Sequence, residues 1–255
     1  MPEPLSPTRT SLFKRIYETD LVYVPACYTA CGDAYCCNYT RTKSRFALIA
    51  RVHAQELPLL PGEYEFLTQQ GWLEGFGEHE HKVEDYVIDD RRALRVESLV
   101  SPKAGCACQH DSRTTTCRLY PLLPRFDVQG RLVGVDRRFG IFEEIVALDQ
   151  EPQNCKVEIL PFDQIPDFLA ITTAIGEDPE LAFYVQAYGL AKVHVAQRLG
   201  ATPLGAGEDD HHQRFEMALL RRELFDHDAL RADLAELADR YEAAHGSDFC
   251  LSSRS

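Results

Sequence analysis

Nine cysteines stand in a chain of 255 residues, and eight of them fall between positions 27 and 155. The first group is Cys27, Cys31, Cys36 and Cys37, with gaps of three and four residues before the adjacent pair. The second is Cys106, Cys108 and Cys117, followed by Cys155, while Cys250 stands apart near the C-terminus. Thiolates are soft ligands that suit zinc, Cu(I) and iron–sulfur clusters. Thiolate sites are commonly assembled from two short-range groups that the fold brings together, because each group closes only a small loop. Eight thiols are enough for two four-ligand sites, or for one site with spares. Neighbouring side chains diverge, so a single ion takes one of Cys36 and Cys37 and leaves the other to a second ion or to packing. The competing reading is that cysteine packs as a small hydrophobe. Four cysteines in the eleven residues of CYTACGDAYCC, with Gly32 for a tight turn, fit ligation better.

Several polar residues stand near the thiols in sequence. His110, two residues after Cys108, has the chemistry of a ligand or of a hydrogen-bond donor to a thiolate. Asp111, Arg113 and Arg118 carry charges able to tune a thiolate-rich site, or else decorate an exposed loop. His79 and His81 lie on one side of an extended segment beside Glu78 and Glu80, where a solvated polar loop is the more economical reading. His211 and His212 follow an acidic linker and belong to the surface. No Ser/His/Asp or Cys/His nucleophile arrangement is present in the pattern. The glycine pairs at 75–77 and 205–207 follow no strand and read as linkers, so no methyl-donor loop of the usual kind is visible. Cys27, Cys31 and Tyr35-Cys36 come near the loop of radical S-adenosylmethionine enzymes, with the spacing two residues too long.

The elements that must position these groups are of mixed type. Hydrophobic residues make up 45% and charged residues 26%, enough for a buried core. The net charge of −13 argues against nucleic acid and anionic membrane surfaces as partners, since both are bound by neutralising phosphates. No signal-peptide pattern and no membrane span is read, so a cytoplasmic location is expected, where thiols stay reduced. The stretch ending in LVYVPAC is extended and delivers Cys27; a short helix is expected over Phe46–Gln55. Pro61 starts a helix with Glu63 and Glu65 in its first turn and Gly71 as its stop. VEDYVI and ALRVESLV read as strands, RFDVQGRLVGVD as a hairpin turning at Gln129-Gly130, and CKVEIL as a last strand. FGIFEEIVAL fits strand or helix.

From about residue 163 the pattern turns helical. Asp178 caps a helix with Pro179 at its first position and Gly200 at its end. Its apolar face carries Leu181, Tyr184, Val185, Tyr188, Val195 and Leu199. Two more amphipathic helices follow a Gly/Pro-rich linker; the last, striped by Leu234, Leu237 and Tyr241, is expected to pack on the one before it as an antiparallel hairpin. The fold class is α+β: a cysteine-rich metal-binding module with short β-strands over 1–162 and a helical C-terminal part over 163–255.

Three segments in succession, CYTACGDAYCC, LLPGEYEFL and CQHDSRTTTCRLYPLLPRF, together resemble the YkgJ-like cysteine-cluster proteins, described as zinc- or iron-chelating, over roughly residues 27–155. The same broad group includes the flagellin lysine-N-methylases. The resemblance implies metal binding by Cys27, Cys31, Cys36, Cys37, Cys106, Cys108, Cys117 and Cys155, with a 4Fe-4S cluster slightly favoured over zinc. It carries over most directly to Cys27, Cys31 and Cys37. This chain departs in having gaps of three and four residues where the family has two, and in reaching Cys155 before another cysteine follows Cys117. Two further functions are consistent with these residues. One is a cluster-dependent enzyme, an iron–sulfur methyltransferase or oxidoreductase acting on a protein side chain, with S-adenosylmethionine unsupported by any motif. The other is a structural zinc module whose acidic helical tail binds a partner protein.

Overall fold

The computed structural model describes residues 5–22, 55–101, 110–120, 122–136, 160–200 and 217–253. The expected helix over 46–55 lies outside them up to residue 54, as do FGIFEEIVAL and all of CKVEIL but its last residue. The described chain is mixed helix and sheet.

Helix α1 runs over Pro7–Glu18. It forms because Ser6 accepts from the Arg9 amide as N-cap, Pro7 occupies the first turn, and Leu12, Phe13, Ile16 and Tyr17 recur on one buried face. The Ser-Pro start and the apolar spacing are the local signals of this helix, which the sequence expectations above do not include. Strand β1, Gln55–Leu59, is short and holds Pro58 in a sheet-edge position. Helix α2, Glu63–Gln69, follows a left-handed Gly62, and Gly71 lies just beyond its end.

Strands β2 (Glu80–Val87) and β3 (Arg92–Ser101) complete an antiparallel sheet in the order β1-β3-β2. The two-residue β6, Ser252–Ser253, pairs with the start of β3. Register places Leu57 opposite Leu99 and Leu59 opposite Glu97, with His81 opposite Leu99 on the other side. Because side chains alternate across a strand, these residues share one face, and Leu57, Leu59 and Leu99 are buried there. The other face carries Glu56, Lys82 and Ser98, joined by Lys82 Nζ and Ser98 Oγ donating to Glu56 at 3.1 and 2.9 Å.

Helix α3, Thr115–Leu119, leads into the hairpin β4 (Leu123–Phe126) and β5 (Leu132–Asp136). Its turn lies where the sequence put it. Asp127 Oδ1 accepts from the amides of Gln129 and Arg131, and Gly130 takes a φ of +75°. This turn sits directly on the end of α4, Ile165–Gly176. A Cβ on Gly130 would meet the Gly176 carbonyl oxygen at 1.8 Å, and one on Gly176 would meet that of Gly130 at 2.0 Å.

Helix α5, Pro179–Gly200, starts as expected, with Asp178 Oδ1 accepting from the Glu180 and Leu181 amides. Leu181, Tyr184, Val185 and Val195 are buried in the core. Arg9 of α1 bridges to Asp178 and Glu180, which ties the first helix to this cap. Helix α6, His227–His245, buries Leu234, Leu237 and Tyr241. It packs antiparallel to α5: Phe183 meets the Tyr241 ring and His194 pairs with Asp233 at 2.8 Å. The helix expected just before α6 lies largely outside the described residues; within them the chain is helical at 217–220 and then turns at Arg222 with a positive φ. One core takes side chains from α1, the sheet, α2, α4, α5 and α6. No helix among the described residues is long and apolar enough to cross a membrane.

The glycine-on-glycine contact gives a direct prediction. Gly176→Ala forces the β4–β5 turn off α4, and the denaturant midpoint should fall by the equivalent of about 2 kcal/mol. An unchanged midpoint would mean that the two backbones separate without cost.

Candidate functional site

Seven of the nine cysteines, namely Cys27, Cys31, Cys36, Cys37, Cys106, Cys108 and Cys155, lie outside the described residues. Cys117 and Cys250 lie within them, both as thiols. No group of three or more His, Cys, Asp or Glu side chains among the described residues is arranged to hold a metal ion. Cys250 is exposed, and its Sγ donates weakly to the neighbouring Leu251 carbonyl. Cys117 is half-buried in α3, packed against the core, within one of the most densely bonded parts of the molecule.

The centre of that region is the Glu63 carboxylate, fully buried at the start of α2. Its Oε1 accepts from the Tyr17 hydroxyl at 2.6 Å, from the Thr115 hydroxyl at 2.7 Å and from the Thr115 amide. Its Oε2 accepts from the Leu60 amide at 2.8 Å. Four donors from α1, α3 and the β1–α2 turn thus converge on one side chain. Burial raises the Glu63 carboxyl above the ordinary carboxylate range, with the four donors pulling the other way. Burial and the neighbouring Glu63 push the Tyr17 phenol well above its usual value.

The three threonines before Cys117 divide the work of fixing α3. Thr114 Oγ1 accepts from the Cys117 amide as N-cap, Thr115 bonds to Glu63, and Thr116 Oγ1 donates to the Pro58 carbonyl of β1 at 2.7 Å. The Thr114 cap is local, whereas nothing in the spacing announced the roles of Thr115 and Thr116, whose partners are 52 and 58 residues away.

Arg118 is the second anchor. The exposed-loop alternative for this residue does not hold: it is 2% exposed and lies over the Tyr17 ring, 4.6 Å from its centroid. Its Nε donates to the Arg113 carbonyl and one terminal nitrogen to the Thr19 carbonyl, each at 3.0 Å. The other donates to the Asp111 carbonyl. Thr19 caps the C-terminus of α1, where unpaired carbonyls need donors. Arg113 reaches the next stretch, donating to the Leu21 carbonyl at 3.2 Å. The Val22 amide then donates to Gln164 Oε1 at 2.7 Å, just before α4. Burial lowers the Arg118 pKa from its usual value.

These bonds hold described residues that stand close in sequence to three of the other cysteines. Val22 is five residues before Cys27, and Asp111 three after Cys108. Gln164 is nine residues after Cys155.

The histidines divide. His79 is half-buried, with its Nδ1 2.7 Å from the Gly77 carbonyl oxygen. His81 departs from the solvated-loop reading. It sits in β2 with its ring stacked on Tyr64 at 3.6 Å and its Nε2 2.8 Å from Glu97, itself 6% exposed in its side chain. His110 begins a short 3₁₀ turn, and His211 and His212 lie outside the described residues.

No family model, no curated protein and no solved structure matches this chain. The fold and site therefore define it at the level of class: an α+β protein in which a buried carboxylate and a buried guanidinium fix a cysteine-bearing helix.

Glu63→Gln keeps the shape but turns an NH2 toward donors that need an acceptor. It should cost about 2–3 kcal/mol in chemical denaturation. A raised folded-state pKa contributes stability that is present below the ordinary carboxylate value and lost as pH rises through the elevated one. The gap between wild type and Glu63→Gln should accordingly be widest in acid and narrow as pH rises through that window. A gap that widens instead would show that the four donors outweigh burial.

Proposed function

We propose that this protein binds a metal centre through cysteine thiolates drawn from both sequence groups, with Cys117 as the fixed ligand around which the others gather. The observation that supports this reading is the anchoring by Arg118 and Arg113. Their bonds to the Thr19, Leu21, Asp111 and Arg113 carbonyls hold the approaches to Cys27 and Cys108 beside the helix that carries Cys117. A buried arginine spent on backbone carbonyls is costly to place in a surface loop, and it fits a segment that must hold a ligand still.

The ligands would come from Cys27, Cys31, Cys36 or Cys37, Cys106 or Cys108, Cys117 and Cys155. The resemblance to YkgJ-like proteins favours an iron–sulfur cluster, and zinc is the alternative. Thiolates in either case are stabilised by nearby positive charge, which Arg113 and Arg118 bring to the neighbourhood of Cys117. A modification enzyme of the lysine-methylase type would be built on the same centre.

Metal and acid-labile sulfide analysis of anaerobically purified protein tests the proposal, together with a visible spectrum. Iron with sulfide and a broad chromophore is the expected result, and stoichiometric zinc without sulfide would still leave a thiolate site. Cys117→Ser should lower metal content severalfold while the far-ultraviolet circular dichroism is kept. Absence of both metals after anaerobic reconstitution, or full occupancy in Cys117→Ser, would overturn the reading.

A further inference from the structure

Strand β2 forms one side of the sheet, and among the described residues no strand pairs with its outer edge, although at its end the Val87 carbonyl accepts from Arg231 Nε at 3.2 Å. Its middle, Val83, Glu84 and Asp85, is exposed, with Val83 at 40% and the Glu84 side chain at 61%. An open edge of this length is a template for another strand. The order of charges along it is what selects the strand. Around Val83 the sequence reads His81, Lys82, Val83, Glu84, Asp85, with basic groups before the centre and acidic ones after it.

We infer that β2 pairs antiparallel with β2 of a second copy of this chain, across a two-fold axis at Val83. An interface of this kind brings the same patch from both subunits together, so each cross-strand pair occurs twice. In that register Val83 meets Val83, Lys82 meets Glu84 and His81 meets Asp85. Directly opposed residues in an antiparallel pair lie on the same face of the sheet, and each of these pairs satisfies that requirement. The next register that keeps faces matched is centred on Glu84. It sets Glu84 against itself and Lys82 against Tyr86, so it loses every charge pair and gains a like-charge contact.

Charged edge residues usually deter pairing. Here they deter the two neighbouring face-matched registers, since centring on Lys82 sets Lys82 against itself and Glu80 against Glu84, and centring on Glu84 sets Glu84 against itself. In the single chain Lys82 leans across β3 to Glu56 of β1 at 3.1 Å, with Glu84 at 3.5 Å, so pairing swings its ammonium outward to the opposing Glu84. With one strand as the contact and a net charge of −13 on each chain, the dimer is weak and concentration-dependent.

Sedimentation velocity on the full chain, over micromolar to submillimolar concentrations, tests this with four proteins. Wild type should show a monomer–dimer equilibrium. Lys82→Glu and Glu84→Lys should each weaken it by about tenfold or more, because each sets like charges opposite one another twice. The double variant Lys82→Glu/Glu84→Lys should regain the dimer. An equimolar mixture of the two single variants should also regain it as a heterodimer, with no refolding required. Circular dichroism melts of each variant distinguish loss of pairing from loss of fold. A monomer at every concentration overturns the inference. So does a dimer indifferent to both reversals, or single-variant losses that neither the double variant nor the mixture restores.

Discussion

Everything near the cysteine helix depends on one buried carboxylate finding four donors. A bare Glu63 anion in the core would cost several kcal/mol. The hydroxyl of Tyr17, the amide and hydroxyl of Thr115 and the amide of Leu60 offset that cost only when α1, α3 and the β1–α2 turn are all in place. The arrangement is therefore cooperative. Removing one element leaves the carboxylate underbonded, and removing the carboxylate leaves four buried donors unpaired.

Arg118 adds the outer layer of the same device. It lies on the ring whose hydroxyl bonds Glu63, and it ties down carbonyls on the chain leaving α1 and on the chain entering α3. A Lys at this position would supply one compact charge where a planar fork serves three carbonyls in different directions. The consequence for function is positional. Loops that carry ligands gain affinity when their ends are already held, because less conformational entropy remains to be lost on binding.

Much of the regular structure was legible in the sequence. The Asp178–Pro179 helix start, the Gln129–Gly130 turn, the β2 and β3 strands and the stripe of Leu234, Leu237 and Tyr241 all follow from local rules, and the structure has them. The β1 strand was missed because Pro58 speaks against a strand unless an edge position is known. Helix α1 is signalled only by the Ser6–Pro7 cap and the spacing of Leu12, Phe13, Ile16 and Tyr17. The roles of Tyr17, Glu63, Thr115 and Thr116 were not legible at all. Each rests on partners 46 to 58 residues away in the chain, and a first-turn glutamate looks the same whether it faces solvent or a core. His81 shows the same limit, since only the pairing of β2 with β3 brings Glu97 to it.

The central claim is that thiolates from separate segments meet at Cys117. Differential alkylation tests it most directly: metal-loaded and metal-stripped protein are labelled in parallel, and the protected cysteines are mapped by mass spectrometry. The account predicts metal-dependent protection of Cys117 together with at least one thiol from Cys27, Cys31, Cys36 and Cys37 and one from Cys106, Cys108 and Cys155, with Cys250 labelled in both states. Protection confined to a single group, or a Cys117 labelled equally with and without metal, would contradict it.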